Sequence, residues 1–165
     1  MHAWYRRGME LLGRGSPAAA AQVLQRASTA EPASRSVREA LARAQFDAGR
    51  YVEAADNFRM IVEASPSDDY AHFGLGLALA RTGHPAAAAE YLALAAAMRP
   101  DAVHYTEALR SVRATLRAQD DTRHVSPDAT AEGATAEGAT AEDATAEDAT
   151  AEDAAAEGAT AEDER

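Results

Sequence analysis

Apolar positions in the first 117 residues fall at helical spacing and are cut at regular intervals by glycine and proline. Tyr5, Met9 and Leu12, for example, stand at i, i+4 and i+7, one face of a helix. Gly15, Gly49 and Gly83 lie 34 residues apart, and so do Pro32, Pro66 and Pro100. The same period relates Ala20, Ala54 and Ala88, then Leu24, Phe58 and Leu92, then Ala27, Ile61 and Ala95. The segments between these breaks predict seven helices, over about 3–14, 17–30, 35–48, 51–64, 69–82, 85–98 and 102–117.

Each column has a physical reason. Places eight (Gly8, Ala42, Gly76) and twenty (Ala20, Ala54, Ala88) are small, as two closely crossing helices require. A glycine just past a helix suits the left-handed conformation that closes its C-terminus. Ser16-Pro17 reads as an N-cap followed by proline at the first helical position. The prolines lack an N–H and end the second helix of each pair. Ser34, Asp68 and Asp101 follow them as candidate N-caps. In the incomplete fourth register, Arg110 holds the place that should be small, and Arg113 and Arg117 extend a charged face. This suits a terminal helix that covers the last repeat and shows solvent a polar side.

A 34-residue period with Trp4, Gly8, Leu11, Ala20, Leu24, Ala27 and Pro32 in its first copy resembles the tetratricopeptide repeat. The resemblance covers residues 1–117 and implies an all-α solenoid: repeats 1–34, 35–68 and 69–102, and a capping helix 102–117. It departs from the family pattern at Arg7, where Leu is usual, and at Gln45. Arg38 and His72 replace the residue type of Trp4, and His72 is expected to fill space between helices. The absence of lysine beside abundant Arg, Ala and Gly is the bias of a high-GC bacterial genome.

Charge divides the chain. The whole carries −11, but residues 1–117 are slightly basic and residues 118–165 strongly acidic. From Ala129 the sequence repeats in fives, as in ATAEG and ATAED, without a large apolar residue. Such a segment cannot bury enough surface to offset the entropy of ordering, so residues 118–165 are expected to be a disordered low-complexity tail. Its negative charge argues against nucleic acid as a partner. No stretch has the roughly 18 apolar residues of a membrane span. No apolar leader follows Met1, and a cytoplasmic protein is the expectation.

Little in the chain carries chemistry. There is no cysteine. Asp68 with His72, and His104 with Glu107, have helical ligand spacing but lack a third ligand. Gly74-Leu75-Gly76 falls inside a helix and reads as packing rather than as a nucleotide loop. The expectation is a non-enzymatic protein with no cofactor or metal.

In the family, places two, five, nine and twelve of the first helices line a concave groove. The resemblance therefore assigns the groove to Tyr5, Met9 and Leu12 in repeat one, and to Glu39, Arg43 and Phe46 in repeat two. Repeat three adds Tyr70, Phe73 and Leu77, and the capping helix adds His104, Glu107 and Ser111. Two readings of this stripe stand side by side: a surface for a peptide or protein segment, or packing between neighbouring first helices. Tyr5, Arg43, Tyr70 and Phe73 are the residue types that anchor interfaces. Chaperone-binding members grip a C-terminal carboxylate with Lys, Arg and Asn. The corresponding residues here, Tyr5, Met9, Ala40, Tyr70 and Gly74, supply none of these, so that role is not implied. An interaction module, either monomer or weak homodimer, is expected. The alternative is a structural protein that self-associates through the same apolar surface.

The acidic segment should be dispensable for folding. A chain ending at Asp121 is expected to keep the thermal midpoint of the full chain nearly unchanged in a calorimetric scan.

Overall fold

Helix boundaries follow the glycine and proline columns. The computed structural model describes residues 2–124, and over them it is helical with no strand. The helices are α1 (His2–Gly13), α2 (Pro17–Ala30), α3 (Arg35–Asp47), α4 (Tyr51–Ala64), α5 (Asp69–Arg81), α6 (Pro85–Met98) and α7 (Val103–His124). Helices one to six pair as three antiparallel hairpins, and each helix packs chiefly on its neighbours in sequence. The acidic repeats from Ala129 onward, expected to be disordered, lie outside the described residues.

The three turn glycines have φ of 71°, 77° and 83°, the left-handed region that side chains disfavour. Behind each, the next N–H reaches back five residues: Ser16 to Leu11 (2.9 Å), Arg50 to Gln45 (2.8 Å) and His84 to Leu79 (2.9 Å). This is the Schellman closure, which satisfies carbonyls that would otherwise be orphaned.

The small columns sit where helices cross. Ala20, Ala54 and Ala88 are completely buried, as is Ala42. A Cβ on Gly8 would fall inside the Leu24 side chain, and one on Gly76 would come within 2.6 Å of Leu92 and 3.2 Å of the Ala88 carbonyl. Place twenty-four supplies the bulk that fills these gaps: Leu24, Phe58 and Leu92 are buried. Burying a leucine or phenylalanine contributes about 1.5–3 kcal/mol. The larger Phe58 is matched by Gly74 on the following helix, whose Cβ would run into the phenyl ring. Gly74 and Gly76 are therefore packing glycines, as their mid-helix position suggested.

Three expectations change. Ser16 and Ser34 occupy N-cap places, but neither side chain makes a capping hydrogen bond. Asp68 does cap: its Oδ1 accepts from the Ala71 N–H at 3.0 Å. Asp101 does not cap α7, which begins two residues later; its carboxylate instead accepts from Arg99 at 3.2 Å. The capping helix, expected to end at 117, continues to His124 because no glycine or proline interrupts it before Pro127. Its buried residues, Tyr105 and Val112, lie near its start and middle. The stretch from Arg117 to His124 is exposed.

His72 fills space as expected. It is buried, tilted against Tyr91 at 6.0 Å, and its Nδ1 lies 2.8 Å from the Asp68 carbonyl oxygen. Gln45, the departure from a large apolar residue, is buried too and accepts from Asn57 Nδ2 at 2.8 Å.

Replacing Ala54 by Leu should cost about 1–3 kcal/mol in urea unfolding, because Ala54 is completely buried in the core between α3 and α4. The same change at the exposed Val52, two residues away, should be nearly neutral.

Candidate binding groove

The groove is built from first helices, which touch one another only sparingly and pack instead on second helices. That leaves a concave surface between α1, α3 and α5. A cavity of about 300 Å³ opens there, lined by Tyr5 and Met9 of α1, Ser36, Glu39 and Arg43 of α3, and Tyr70 of α5, with Ala40 beside them. Five of the nine residues proposed from the sequence thus meet around one opening. Ser36 was missed, although it stands at place two, like Tyr70.

The remaining four are elsewhere. Phe46 meets Tyr51 edge-on at 5.1 Å and carries the Arg81 guanidinium at 6.0 Å from its ring. Leu77 is half-buried against the main core. Phe73 stacks on Tyr105 of α7 at 4.4 Å and meets His104 edge-on at 5.2 Å. These three are engaged in packing, which favours the structural reading for them. Glu107 is exposed on α7 and does not line the cavity. Tyr105 escaped the sequence reading; its hydroxyl donates to Asp69 Oδ2 at 2.8 Å and ties α7 to the start of α5.

Tyr70 is held from below. Its ring lies edge-on to Phe58, 6.1 Å between centroids, so the Phe58–Gly74 fit also sets the height of a groove side chain. Burial raises the Tyr70 hydroxyl above its ordinary pKa.

Charges along α3 alternate at one-turn intervals: Arg35, Glu39, Arg43, Asp47. They are not equally compensated. Arg43 Nε lies 3.9 Å from Asp47, and Arg35 Nη2 lies 2.6 Å from the buried Oδ2 of Asp68. That oxygen has no aligned hydrogen bond, so the Arg35 charge is what compensates it. Glu39 shares the same Arg35 Nη2, at the longer distance of 4.0 Å. Burial, and then repulsion from Asp68, raise the Glu39 carboxyl above the usual carboxylate range.

A second opening, of about 230 Å³, also touches Tyr5 and is lined by Trp4, Ala27, Ala30 and Val37 among others. Among the described residues no three His, Asp or Glu side chains converge as a metal site would require. No helix among them is long and apolar enough to cross a membrane.

Comparison with known proteins agrees with this architecture. No curated protein sequence matches the chain. Among solved structures it is similar to the first TPR of Spaghetti (RPAP3) bound to the HSP90 peptide SRMEEVD. The two are 17% identical, with a TM-score of 0.65 over 70% of this chain and 91% of that one. The Sgt2 TPR domain from Aspergillus fumigatus is 18% identical, with a TM-score of 0.66 over 82% of this chain and 89% of that one. YrrB, described as a TPR protein with an unusual peptide-binding site, is 24% identical, with a TM-score of 0.62 over 65% of this chain and 55% of that one. The family model for the tetratricopeptide repeat matches residues 5–69 and 63–103. With the period, the glycine turns and the small crossing residues all in place, the chain belongs to the tetratricopeptide repeat family.

Proposed function

We propose that this protein is a non-catalytic interaction module that holds a peptide or protein segment in its concave groove. The observation that carries the reading is the cavity between α1, α3 and α5, where Tyr5, Met9, Glu39, Arg43 and Tyr70 converge. Tyrosine and arginine beside a concavity are the side chains that most often dominate binding energy. Structures with this fold support the general class: the RPAP3 domain was solved with a peptide, and YrrB is described by its peptide-binding site. The HSP90 peptide, SRMEEVD, has acidic residues at three of its last four positions. Tyr5, Met9, Ala40, Tyr70 and Gly74 offer no Lys, Arg or Asn side chain for a terminal carboxylate, so a different ligand is expected here.

Self-association is the second reading, favoured by one observation: Trp4 and Met9, large and apolar, are exposed on α1. Sedimentation across a hundredfold range of concentration separates the two. The groove reading expects a constant monomer mass. A dimer that dissociates on Met9→Ala would replace it.

Panning a random 12-residue peptide library against the full chain tests the groove directly. Replacing Tyr5 and Arg43 together by Ala should weaken the selected peptides by at least about tenfold, since anchors of this kind can each contribute about 2 kcal/mol. Helical content by circular dichroism should stay the same. Peptides that bind the double variant as well as the parent would place the interaction on another face.

A further inference from the structure

Resting on the groove reading, the geometry points to a more specific ligand: we infer that the cavity takes a basic side chain, Arg or Lys, seated on the Glu39 carboxylate between the Tyr5 and Tyr70 rings.

Two guanidiniums stand near the cavity, and each already has a carboxylate. Arg35 is committed to Asp68 at 2.6 Å, and Asp68 is buried and has no other cation within ion-pair distance among the described residues. Arg43 faces Asp47 one turn further along α3 at 3.9 Å. Glu39 lies between them in sequence and has no cation to itself: it shares Arg35 Nη2, at 4.0 Å, with Asp68, and feels the charge of Arg43 that Asp47 also draws on. The cluster of Arg35, Glu39, Arg43, Asp47 and Asp68 therefore carries one more negative charge than positive; of the three carboxylates, Glu39 is the one that lines the cavity, with Arg43 beside it.

Surroundings make that surplus costly. The Glu39 side chain is only about two-fifths exposed, its side-chain relative accessibility being 39%. Asp68 is close enough to oppose its ionisation. A carboxylate partly removed from water and set near a second one gains more from an added cation than a freely solvated one does. The cation must also fit. Tyr5 and Tyr70 line the same opening from two different helices, and tyrosine faces attract ammonium and guanidinium groups. The aliphatic stem of such a side chain would lie along Met9 and Ala40.

This ligand is opposite in sign to the acid-rich SRMEEVD peptide seen on the RPAP3 domain. It also gives the binding a pH sign. The groups facing Glu39 are Arg35 and Arg43 on its own helix, Asp68 and Tyr70 at the start of α5, and Tyr5 on α1. Of these, Asp68 opposes its ionised form. A bound cation favours that form, so binding releases any proton that Glu39 holds. Affinity should be full above the raised carboxyl pKa and fall as pH drops through it.

The test uses the peptides selected on the full chain. Each is resynthesised with its Arg replaced by citrulline, which keeps the shape and loses the charge, or its Lys by norleucine. Each is measured by titration calorimetry against the parent and against Glu39→Gln. The expected result is at least a tenfold loss on neutralising one particular basic residue. That preference should vanish in Glu39→Gln, while Glu142→Gln, in the acidic segment, should keep it. Peptides whose binding depends on Tyr5 and Arg43 but not on any basic residue would overturn this inference and leave the groove reading standing. A preference for basic peptides that survives Glu39→Gln would also overturn it, and would assign the attraction to the acidic repeats. Peptides indifferent to Tyr5, Arg43 and Glu39 alike would remove both readings.

Discussion

Everything in this fold depends on how closely two helix backbones can approach at a few crossing points. Gly8, Ala42 and Gly76 on the first helices answer Ala20, Ala54 and Ala88 on the second; the four alanines are completely buried, and a Cβ on either glycine would run into Leu24 or Leu92. With the axes that near, Leu24, Phe58 and Leu92 seal the space beside the crossing, and their burial supplies much of each hairpin's cohesion. Turn geometry is subordinate to that approach. The glycines at positive φ let the chain reverse within three residues, so that the two helices emerge already in contact.

The groove is a by-product of the same constraint. Because first helices pack mainly on second helices, their inner faces are only partly covered by one another. What remains open depends on which side chains the neighbouring helix happens to reach. At the α1–α3–α5 end the faces stay apart and a cavity remains. At the α5–α7 end Tyr105 and His104 close over Phe73. A single stripe in sequence thus becomes an open cavity at one end and a seam at the other.

This explains which features could be read from the chain alone. The crossing residues were legible because backbone proximity selects directly for Gly and Ala, and a 34-residue period repeats that selection three times. The left-handed glycines were legible for the same reason. Caps were not: a Ser at the right place, as at Ser16 and Ser34, makes its bond only if its rotamer turns inward, and Asp101 is diverted by Arg99. The end of α7 is not marked by composition: the change near 118 alters charge but brings no helix breaker before Pro127. In the groove, helical spacing assigns a face but not its coverage, so Phe73 and Tyr5 looked alike. The Arg35–Asp68 pair spans a whole repeat, and no rule of spacing within a helix could have joined it.

The match between Phe58 and Gly74 limits how far the repeats behave as interchangeable modules. Tandem repeats are commonly treated as parts that can be shuffled, duplicated or replaced by an averaged sequence. Here the second repeat carries a phenyl ring where the first and third carry leucine, and the complementary hollow lies on the next repeat. Transplanting either repeat alone would leave a ring without its hollow or a hollow without its ring. Tyr70 rests on that ring, so the mismatch would reach the lining of the groove as well as the interior. The junction between repeats, and not the repeat, is therefore the smallest unit of this protein that can be exchanged without altering what the groove presents.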